Sequence, residues 1–381
     1  MKILFLSERY PPEIGGVSAS AGRLSSALAR LGHEVHVVTL TRELPAGSVE
    51  RRELGERLTL YRLGQSKNLD FSLQQAQTFL EWLHAQHRFD LVWGHFVQTA
   101  GFLAAWFGRL VGLPSLLCLR GNDFDRQVFP PGDFARLQWC LQRADHLVAV
   151  SADLAAKVRA LIDRVPRVLP NAVDTLVFRA GDRRADLVGR YNPTGELLLG
   201  FSGELRAKKG LPFLLAAVAE VRRVRPARLL VIGEVRGGDQ GEFERARIAM
   251  GLEDAVVVTG HLHEPSEVAE HLRLCDVFLL PSLWEGMPNG LLEAMAVGCR
   301  VVVSDAGGIP EIVRDGDNGL IVPRTHLHRL GRRVLDLLAL PVAERDRMRD
   351  AALWTIAEVH SLDAEQRNLA ELLAGIASSR S

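Results

Sequence analysis

The sequence has no excess of charge of either sign. Lysine plus arginine total 46 and aspartate plus glutamate total 46, so the formal net charge is zero. No global electrostatic field therefore draws the protein to nucleic acid or to anionic lipid. Arginines cluster within residues 42–62 and 324–333, and we interpret them as part of the charged surface of a soluble protein.

Cysteine is scarce, with four residues that are widely separated along the chain: Cys118, Cys140, Cys275 and Cys299. None of them forms a C-x-x-C pair, which disfavours a zinc or redox motif. Their apolar neighbours predict buried, reduced thiols. The sequence therefore predicts no metal site and no disulfide framework.

Long hydrophobic runs are also missing. The most apolar segment, residues 101–118, is interrupted by Arg109 and Pro114, so it is better explained as a buried helix, turn and strand than as a membrane span. The first apolar stretch stops after Leu6, well short of a signal peptide. We therefore expect a cytoplasmic protein.

Strand and helix patterns alternate along the chain, although a G-x-G-x-x-G fingerprint is lacking. A buried strand over residues 2–7, a helix over 18–31 and a strand over 34–39 form the repeating unit of a doubly wound sheet. The pair Gly15-Gly16 follows a long loop, so a nicotinamide dinucleotide site has little support. The length of 381 residues predicts two domains.

The most informative stretch covers residues 275–323. It predicts a buried strand that ends at Pro281, a loop, and a helix that begins near Asn289 and stops before Gly298. One glutamate, Glu285, lies in the loop and another, Glu293, lies in the helix. The free N–H groups at the start of this helix favour an anion such as a diphosphate, and they belong to Asn289, Gly290 and Leu291.

The order of motifs in this half of the chain resembles a known family. Glu285-x7-Glu293 is followed by A-M-A-x-G, then by G-G-I-P-E and D-G-D-N-G-L-I-V-P, as in the nucleotide-binding half of the family-4 retaining glycosyltransferases, or glycosyltransferase group 1. The resemblance covers nearly the whole chain. It implies an α/β protein with two doubly wound Rossmann-like domains that face a central crevice, the GT-B architecture.

The resemblance and the composition of the segments also predict domain boundaries. An acceptor-binding domain is expected over residues 1–178 and a polar linker over 179–196. A nucleotide-sugar-binding domain should follow over 197–360. The remaining residues, 361–381, should form a helix that packs back on the first domain.

The resemblance assigns roles on the donor side. Glu285 would contact hydroxyls of the donor sugar, and Glu293 would hold the nucleotide ribose. Lys209 matches the lysine of a phosphate-binding turn, G-R-L-x3-K-G, but Glu204 occupies its arginine position. We therefore expect Arg206 to reach the diphosphate instead.

Other donor contacts are carried over in the same way. Gly16 would lie near the donor phosphates, and Leu262 follows a glycine after which relatives contact the nucleobase. His95 follows a predicted strand at its carboxyl end, the ligand-binding edge of an open α/β sheet. The family commonly has a histidine here that approaches the transferred sugar.

The segment after the strand at residues 116–120 supplies acceptor-side candidates, Asn122 and Asp123. Arg120 stands where the family often carries histidine. Asp123 and Asp125 could accept hydrogen bonds from acceptor hydroxyls or could instead cap the next turn. Their D-x-D spacing is interpreted as coincidence, not as a metal site.

The function that follows is retaining transfer of a hexose from a nucleotide-diphosphate sugar to an acceptor hydroxyl, by a front-face mechanism without a metal or another cofactor. The catalytic residues would be His95, Arg206, Lys209 and Glu285. The acceptor could be a small molecule, a glycan or a lipid-linked sugar, and peripheral membrane contact stays open. Two alternatives are a nucleotide-sugar epimerase or hydrolase of the same fold and a catalytically silent nucleotide-sugar-binding protein.

Overall fold

The computed structural model describes residues 1–378, apart from the side chain of Asn122. The chain divides into two compact units. Unit 1 comprises residues 1–170 together with the segment that begins at Gln366, and unit 2 comprises Asn171–Glu365. The division therefore falls eight residues before the predicted end of the first domain, at residue 178.

Unit 1 is built on a mainly parallel sheet. Over the described residues it has eight strands: β1 (Lys2–Ser7), β2 (Glu34–Thr41), β3 (Val49–Gly55), β4 (Leu58–Gly64), β5 (Leu91–His95), β6 (Ser115–Leu119), β7 (His146–Ala149) and β8 (Arg167–Val168). Their order is β3-β4-β2-β1-β5-β6-β7-β8, and β3 alone pairs antiparallel with its neighbour. The helices that connect them are α1 (Gly16–Arg30), α2 (Leu69–His87), α3 (Thr99–Val111), α4 (Asn122–Asp125), α5 (Pro131–Arg143) and α6 (Ala152–Ile162).

The strand register fixes the two edges of this sheet. Lys2 pairs with Glu34 at the amino ends of β1 and β2, whereas Ser7 pairs with His95 at the carboxyl ends of β1 and β5. Because parallel strands all end at the same edge, the loops after β1, β5 and β6 meet there. The predicted strand over residues 2–7 is confirmed.

Unit 2 is built on a fully parallel sheet. Between residues 171 and 365 its six strands are β9 (Leu197–Ser202), β10 (Ala227–Ile232), β11 (Val256–Val258), β12 (Val277–Leu280), β13 (Arg300–Ser304) and β14 (Leu320–Val322), in the order β11-β10-β9-β12-β13-β14. Most residues of these strands are buried, as expected for a parallel sheet covered on both faces, whereas Val258 of the edge strand β11 is exposed.

Eight α-helices belong to this unit within the same residues: α7 (Ala185–Tyr191), α8 (Leu211–Arg222), α9 (Gln240–Ala249), α10 (Pro265–Leu274), α11 (Asn289–Ala296), α12 (Ile309–Ile312), α13 (Leu330–Ala339) and α14 (Val342–Val359). Short 3-10 turns lie at Ala207–Lys209, Gly237–Asp239 and Arg324–Arg329. The polar segment predicted as a linker, residues 179–196, contains α7. Leu187 and Tyr191 of α7 are buried, which explains why a mostly polar sequence folds as a helix there.

The last helix, α15 (Leu362–Ser378), supplies apolar side chains to the core of unit 1. Leu369, Leu372 and Ile376 are buried in one cluster with Ile3 and Phe5 of β1. Their spacing of three and four residues places them on one face of the helix. The central strand β1 is therefore covered in part by α15, which is separated from it by more than 350 residues of sequence.

Sequence reasoning missed β3, because its residues are mostly charged and exposed. It is an edge strand that satisfies its backbone on one side, against β4. Glu50 on β3 accepts hydrogen bonds from Arg52 and from Arg62, which lies on β4. Much of the arginine cluster of residues 42–62 is thus paired with glutamates of the same sheet. All four cysteines are buried and free, as predicted.

Truncation of Leu369 tests the role of α15. Leu369 is fully buried, so Leu369→Ala should lower the free energy of unfolding by about 2–5 kcal/mol. The control is Leu110→Ala in α3, where the leucine is 48% exposed. Urea unfolding of both variants gives the comparison, and equal losses would show that α15 does not stabilise unit 1.

Candidate functional site

The carboxylate of Glu285 is the most enclosed charged group at the carboxyl edge of the unit 2 sheet. It lies in the loop between β12 and α11, with 7% of the side chain exposed. Lys209 donates a hydrogen bond from Nζ to Oε1, and Ser282 donates to the same oxygen at 2.8 Å. The Nζ atom of Lys208 lies 4.0 Å from Oε2.

The two lysines decide the charge of this glutamate. Burial opposes ionisation, but the positive charges of Lys209 and Lys208, with the hydrogen bonds from Lys209 and Ser282, outweigh it and lower the pKa of Glu285. Both lysines are themselves largely buried, so the attraction is weakly screened by solvent. Glu285 is therefore held as a carboxylate that can accept further hydrogen bonds.

The loop that follows β13 packs closely against the loop that carries Glu285. Gly307 has φ of 53°, and a Cβ atom there would lie 1.8 Å from the carbonyl oxygen of Glu285. The N–H of Gly308 donates to the carbonyl of Gly286 at 2.9 Å. Only glycine fits at position 307, so the G-G-I-P-E motif supports the backbone that carries Glu285.

The lysine turn docks on the other side of the same loop. Gly210 has φ of 75°, and a Cβ atom there would lie 2.0 Å from the carbonyl oxygen of Pro281. The N–H of Leu283 donates to the carbonyl of Lys208 at 2.8 Å. These contacts bring the lysine that follows β9 to the glutamate that follows β12, although the two are 76 positions apart.

Arg206, which we expect to bind the diphosphate, forms an ion pair with a glutamate of its own turn. Its Nη1 atom lies 3.3 Å from Oε2 of Glu204, and Oε1 of the same glutamate lies 3.9 Å from Nε of Arg236. The Nε atom of Arg206 is buried and has no hydrogen-bond partner among the described residues. Glu204 thus pairs with Arg206, the residue that we expect to replace the missing arginine. A contact between Arg206 and the diphosphate stays a prediction.

Helix α11 begins beside the end of β9, because a Cβ atom at Gly290 would lie only 3.1 Å from the carbonyl oxygen of Ser202. The N–H of Leu291 already donates to the carbonyl of Pro288 at 3.2 Å. The prediction of three free N–H groups is therefore wrong for Leu291, and Asn289 and Gly290 are the better anion-binding candidates. Asn289 also has a buried side-chain oxygen without a hydrogen-bond partner in the part of the chain that the structure describes.

Two further donor candidates lie on the same edge of the sheet. Glu293 is half-buried on α11, one turn after Asn289. Leu262 is half-buried in the loop after β11, where Gly260 forms a bridge with Gly233 at the end of β10. The parallel strands thus place these residues at one edge of the sheet, while the ribose and nucleobase roles stay predictions.

In unit 1, His95 lies at the end of β5, as predicted, and it is completely buried. Its Nε2 atom is 2.9 Å from the hydroxyl oxygen of Ser20, and its ring stacks on Phe5. Burial, together with the positive charges of Arg120 and Arg23, holds the pKa of His95 well below its usual range. The imidazole is therefore neutral and cannot act as a cation.

Asp123 fastens two loops at this edge. Its carboxylate accepts hydrogen bonds from the backbone N–H groups of Val97 at 2.9 Å, Arg120 at 3.0 Å and Gly121 at 2.7 Å. With 1% of the residue exposed, these bonds favour the turn-capping alternative over contact with an acceptor. The side chain of Asn122 lies outside the described residues.

Gly16 is the first residue of α1, and it is exposed after the loop that follows β1. Because the loop after β1 and the end of β5 share an edge, Gly16 and His95 belong to the same side of the sheet. The positions predicted in unit 1, Gly16, His95 and Asp123, therefore lie at one edge of the sheet. Of these, Asp123 has a structural role.

Sequence reasoning missed three polar residues at these edges. Ser20 lies one helical turn after Gly16, and Ser282 follows directly after Pro281 at the end of β12, so position alone could have indicated both. Glu8 follows β1 and accepts a hydrogen bond from the N–H of Ala100 at 2.7 Å, and burial raises its pKa to about 7.

Comparison with known proteins identifies the chain. The family described as "Glycosyl transferase 4-like domain" matches residues 15–172, and the family described as "Glycosyl transferases group 1" matches residues 196–339. The chain belongs to the group 1 glycosyltransferases. A D-inositol 3-phosphate glycosyltransferase from Arthrobacter sp. (strain FB24) is 25% identical over 351 residues, which cover 84% of this chain and 83% of the relative.

Solved structures share the fold of this glycosyltransferase at low sequence identity. Sucrose-phosphate synthase from Thermosynechococcus elongatus has a TM-score of 0.83 at 19% identity and covers 100% of both chains. Anabaena HepE in complex with UDP-glucose has a TM-score of 0.78 at 18% identity, over 98% of this chain and 100% of HepE. The two α/β units are therefore those of a GT-B protein, as predicted.

Within residues 1–378, no helix of this glycosyltransferase combines the length and the apolar character needed to cross a bilayer. The longest, α2, has 19 residues and contains Asp70 and Glu81.

Substitution of Gly307 tests the support of the Glu285 loop. Gly316→Ala is the matched control, because Gly316 has φ of 77° but no atom within 4 Å of the position that an added Cβ would take. The control should cost about 1–2 kcal/mol through left-handed backbone strain alone. Gly307→Ala must also displace the Glu285 carbonyl, so its thermal unfolding midpoint should fall further and transferase activity should be lost. Equal midpoints with full activity would contradict the support role.

Proposed function

We propose that unit 2 binds a nucleotide-diphosphate sugar and that the enzyme transfers the sugar to an acceptor hydroxyl with retention of anomeric configuration. The observation that carries the proposal is the buried, ionised Glu285 beside two lysines and the start of α11. A carboxylate accepts hydrogen bonds only, so it suits the hydroxyls of a sugar. The neighbouring cations and N–H groups suit a diphosphate.

The leaving group can be stabilised by residues of the chain itself. Negative charge develops on the diphosphate as the glycosyl–phosphate bond breaks, and the ammonium of Lys209 and the N–H groups of Asn289 and Gly290 are suited to stabilise it. The hydrogen bond from Lys209 to Glu285 keeps the ammonium oriented. These groups support a transfer that needs no metal ion.

The environment of Glu285 supports a front-face mechanism over a double displacement. Oε1 already accepts hydrogen bonds from Lys209 and Ser282, and the lowered pKa makes the carboxylate a weaker base and nucleophile. In the front-face reaction, the acceptor oxygen bonds to the anomeric carbon on the face from which the diphosphate departs. The acceptor proton passes to the departing phosphate oxygen, so no covalent glycosyl-enzyme forms.

The named relatives support the donor class. Anabaena HepE was solved with UDP-glucose, and the Arthrobacter relative is named as a glycosyltransferase that acts on D-inositol 3-phosphate. We propose a nucleotide sugar as the donor here as well, with unit 1 contributing the acceptor site. The predicted role of His95 as a positioning group would use its neutral imidazole.

The donor site is tested by thermal shift with a panel of nucleotide-diphosphate sugars in the presence of EDTA. A donor that binds the folded protein raises the unfolding temperature by mass action. We expect one sugar nucleotide to give a selective shift that disappears in Glu293→Ala and persists in the control Glu358→Ala, which alters an exposed residue of α14. If no donor shifts the intact protein, the donor-site proposal is contradicted, and with it the expectation that Arg206 replaces the missing arginine.

The role of Glu285 is tested by Glu285→Gln with the donor found in that panel. The amide cannot keep the ion pair with Lys209, so turnover should fall by about 100-fold or more, whereas donor affinity should change far less. Glu358→Gln is the control. Product analysis with and without acceptor separates transfer from hydrolysis or epimerisation, and unchanged turnover in Glu285→Gln would remove the central residue of the proposal. Donor binding without any turnover would favour the silent binding protein.

A further inference from the structure

Three side chains with metal-binding atoms meet at the amino edge of the unit 1 sheet. Glu34 begins β2 and His36 follows two residues later, so both project from the same face of the strand. His87 is the last residue of α2. His95 lies at the other edge, because the Lys2–Glu34 pair and the Ser7–His95 pair are five positions apart along β1, a distance of about 16 Å along the strand.

The geometry brings one carboxylate oxygen between two imidazoles. Oε1 of Glu34 lies 2.9 Å from Nε2 of His36 and 3.8 Å from Nδ1 of His87. All three ligand atoms lie within 4.8 Å of one another. Ligand atoms about 2.0–2.2 Å from a shared tetrahedral ion lie roughly 3.3–3.6 Å apart, so the pair formed by Glu34 and His36 would widen slightly and His87 would move closer to Glu34.

The surroundings orient the ligands. The hydroxyl oxygen of Tyr61 lies 3.4 Å from Nδ1 of His36, where it can donate to or accept from that nitrogen. The ring of Phe89 packs edge-on against His36 and stacks on His87. Histidines that bind a metal through one ring nitrogen commonly have a hydrogen-bond partner on the other, as Tyr61 is for His36, and this partner fixes the tautomer.

An ordinary ion pair accounts for only part of this arrangement. The rings of His36 and His87 have centroids 4.1 Å apart, so the two imidazoles lie side by side next to the same carboxylate. His36 is also almost completely removed from solvent, with 3% of the residue exposed. One divalent ion would use a lone pair of each imidazole and the charge of Glu34 together.

We propose that Glu34, His36 and His87 bind a divalent transition-metal ion of the zinc class. Imidazole nitrogens with a carboxylate oxygen are ligands that suit zinc and cobalt, and water would complete the coordination at the partly exposed His87. Lys2, whose Nζ lies 3.6 Å from Oε2 of Glu34, is 45% exposed and can turn toward solvent. The ion would tie the start of β2 to the end of α2, away from the transfer chemistry.

The test uses the full chain after removal of metals with EDTA. Co²⁺ should bind with one equivalent and give visible absorption typical of a four- or five-coordinate ion, and Zn²⁺ should displace it and raise the unfolding temperature. Glu34→Gln and His87→Gln should each weaken binding at least tenfold, while the double variant His261→Gln/His263→Gln should bind as the parent does. The control removes a second histidine pair, with ring centroids 4.7 Å apart.

A second measurement uses the unaltered protein, in case a variant fails to fold. Zn²⁺ should protect His87 from diethyl pyrocarbonate more than it protects His261, as read by mass spectrometry of peptides. The proposal is overturned if no stoichiometric binding occurs, if both single variants bind like the parent, or if protection at His87 does not exceed that at His261. Failure here leaves the donor-site proposal untouched, because donor binding is tested in EDTA.

Discussion

The attraction between the buried Glu285 carboxylate and the ammonium of Lys209 is the constraint on which the candidate donor site depends. A carboxylate that loses its contact with water is stable as an anion only when positive charge and hydrogen-bond donors replace that water. Lys209, Lys208 and Ser282 provide this replacement. Gly307 and Gly210 let the loops approach closely. They therefore also set the distance between the charges of Glu285 and Lys209.

Much of this arrangement could be predicted from the sequence. Alternating apolar strands and helices indicated two parallel α/β units, and the position of His95 after a strand placed it correctly at the carboxyl edge. Glu285 stood out because it interrupts a strand–loop–helix pattern with a charge that folding alone does not require. These predictions succeeded because they depend on local periodicity and on the shared direction of parallel strands.

The rest depended on contacts between distant segments, which local patterns do not encode. Asp123 looked available to a ligand until the backbone N–H groups of Val97 and Gly121 were found to occupy it. Arg206 looked like a substitute for a missing arginine, but Glu204 at that position is itself its ion-pair partner. Strand β3 escaped notice because an exposed edge strand can be formed by charged residues whose pairing becomes evident only across the sheet.

The return of α15 to unit 1 has a consequence for synthesis on the ribosome. All of unit 2 is translated before the residues that cover Ile3 and Phe5 become available. A nascent chain can therefore complete unit 2 while the core of unit 1 still exposes apolar surface, and such surface favours association with chaperones or with other nascent chains. Unit 2 should thus complete its fold before unit 1, although unit 1 begins to emerge first, because the sheet of unit 1 is not fully covered until α15 has been made.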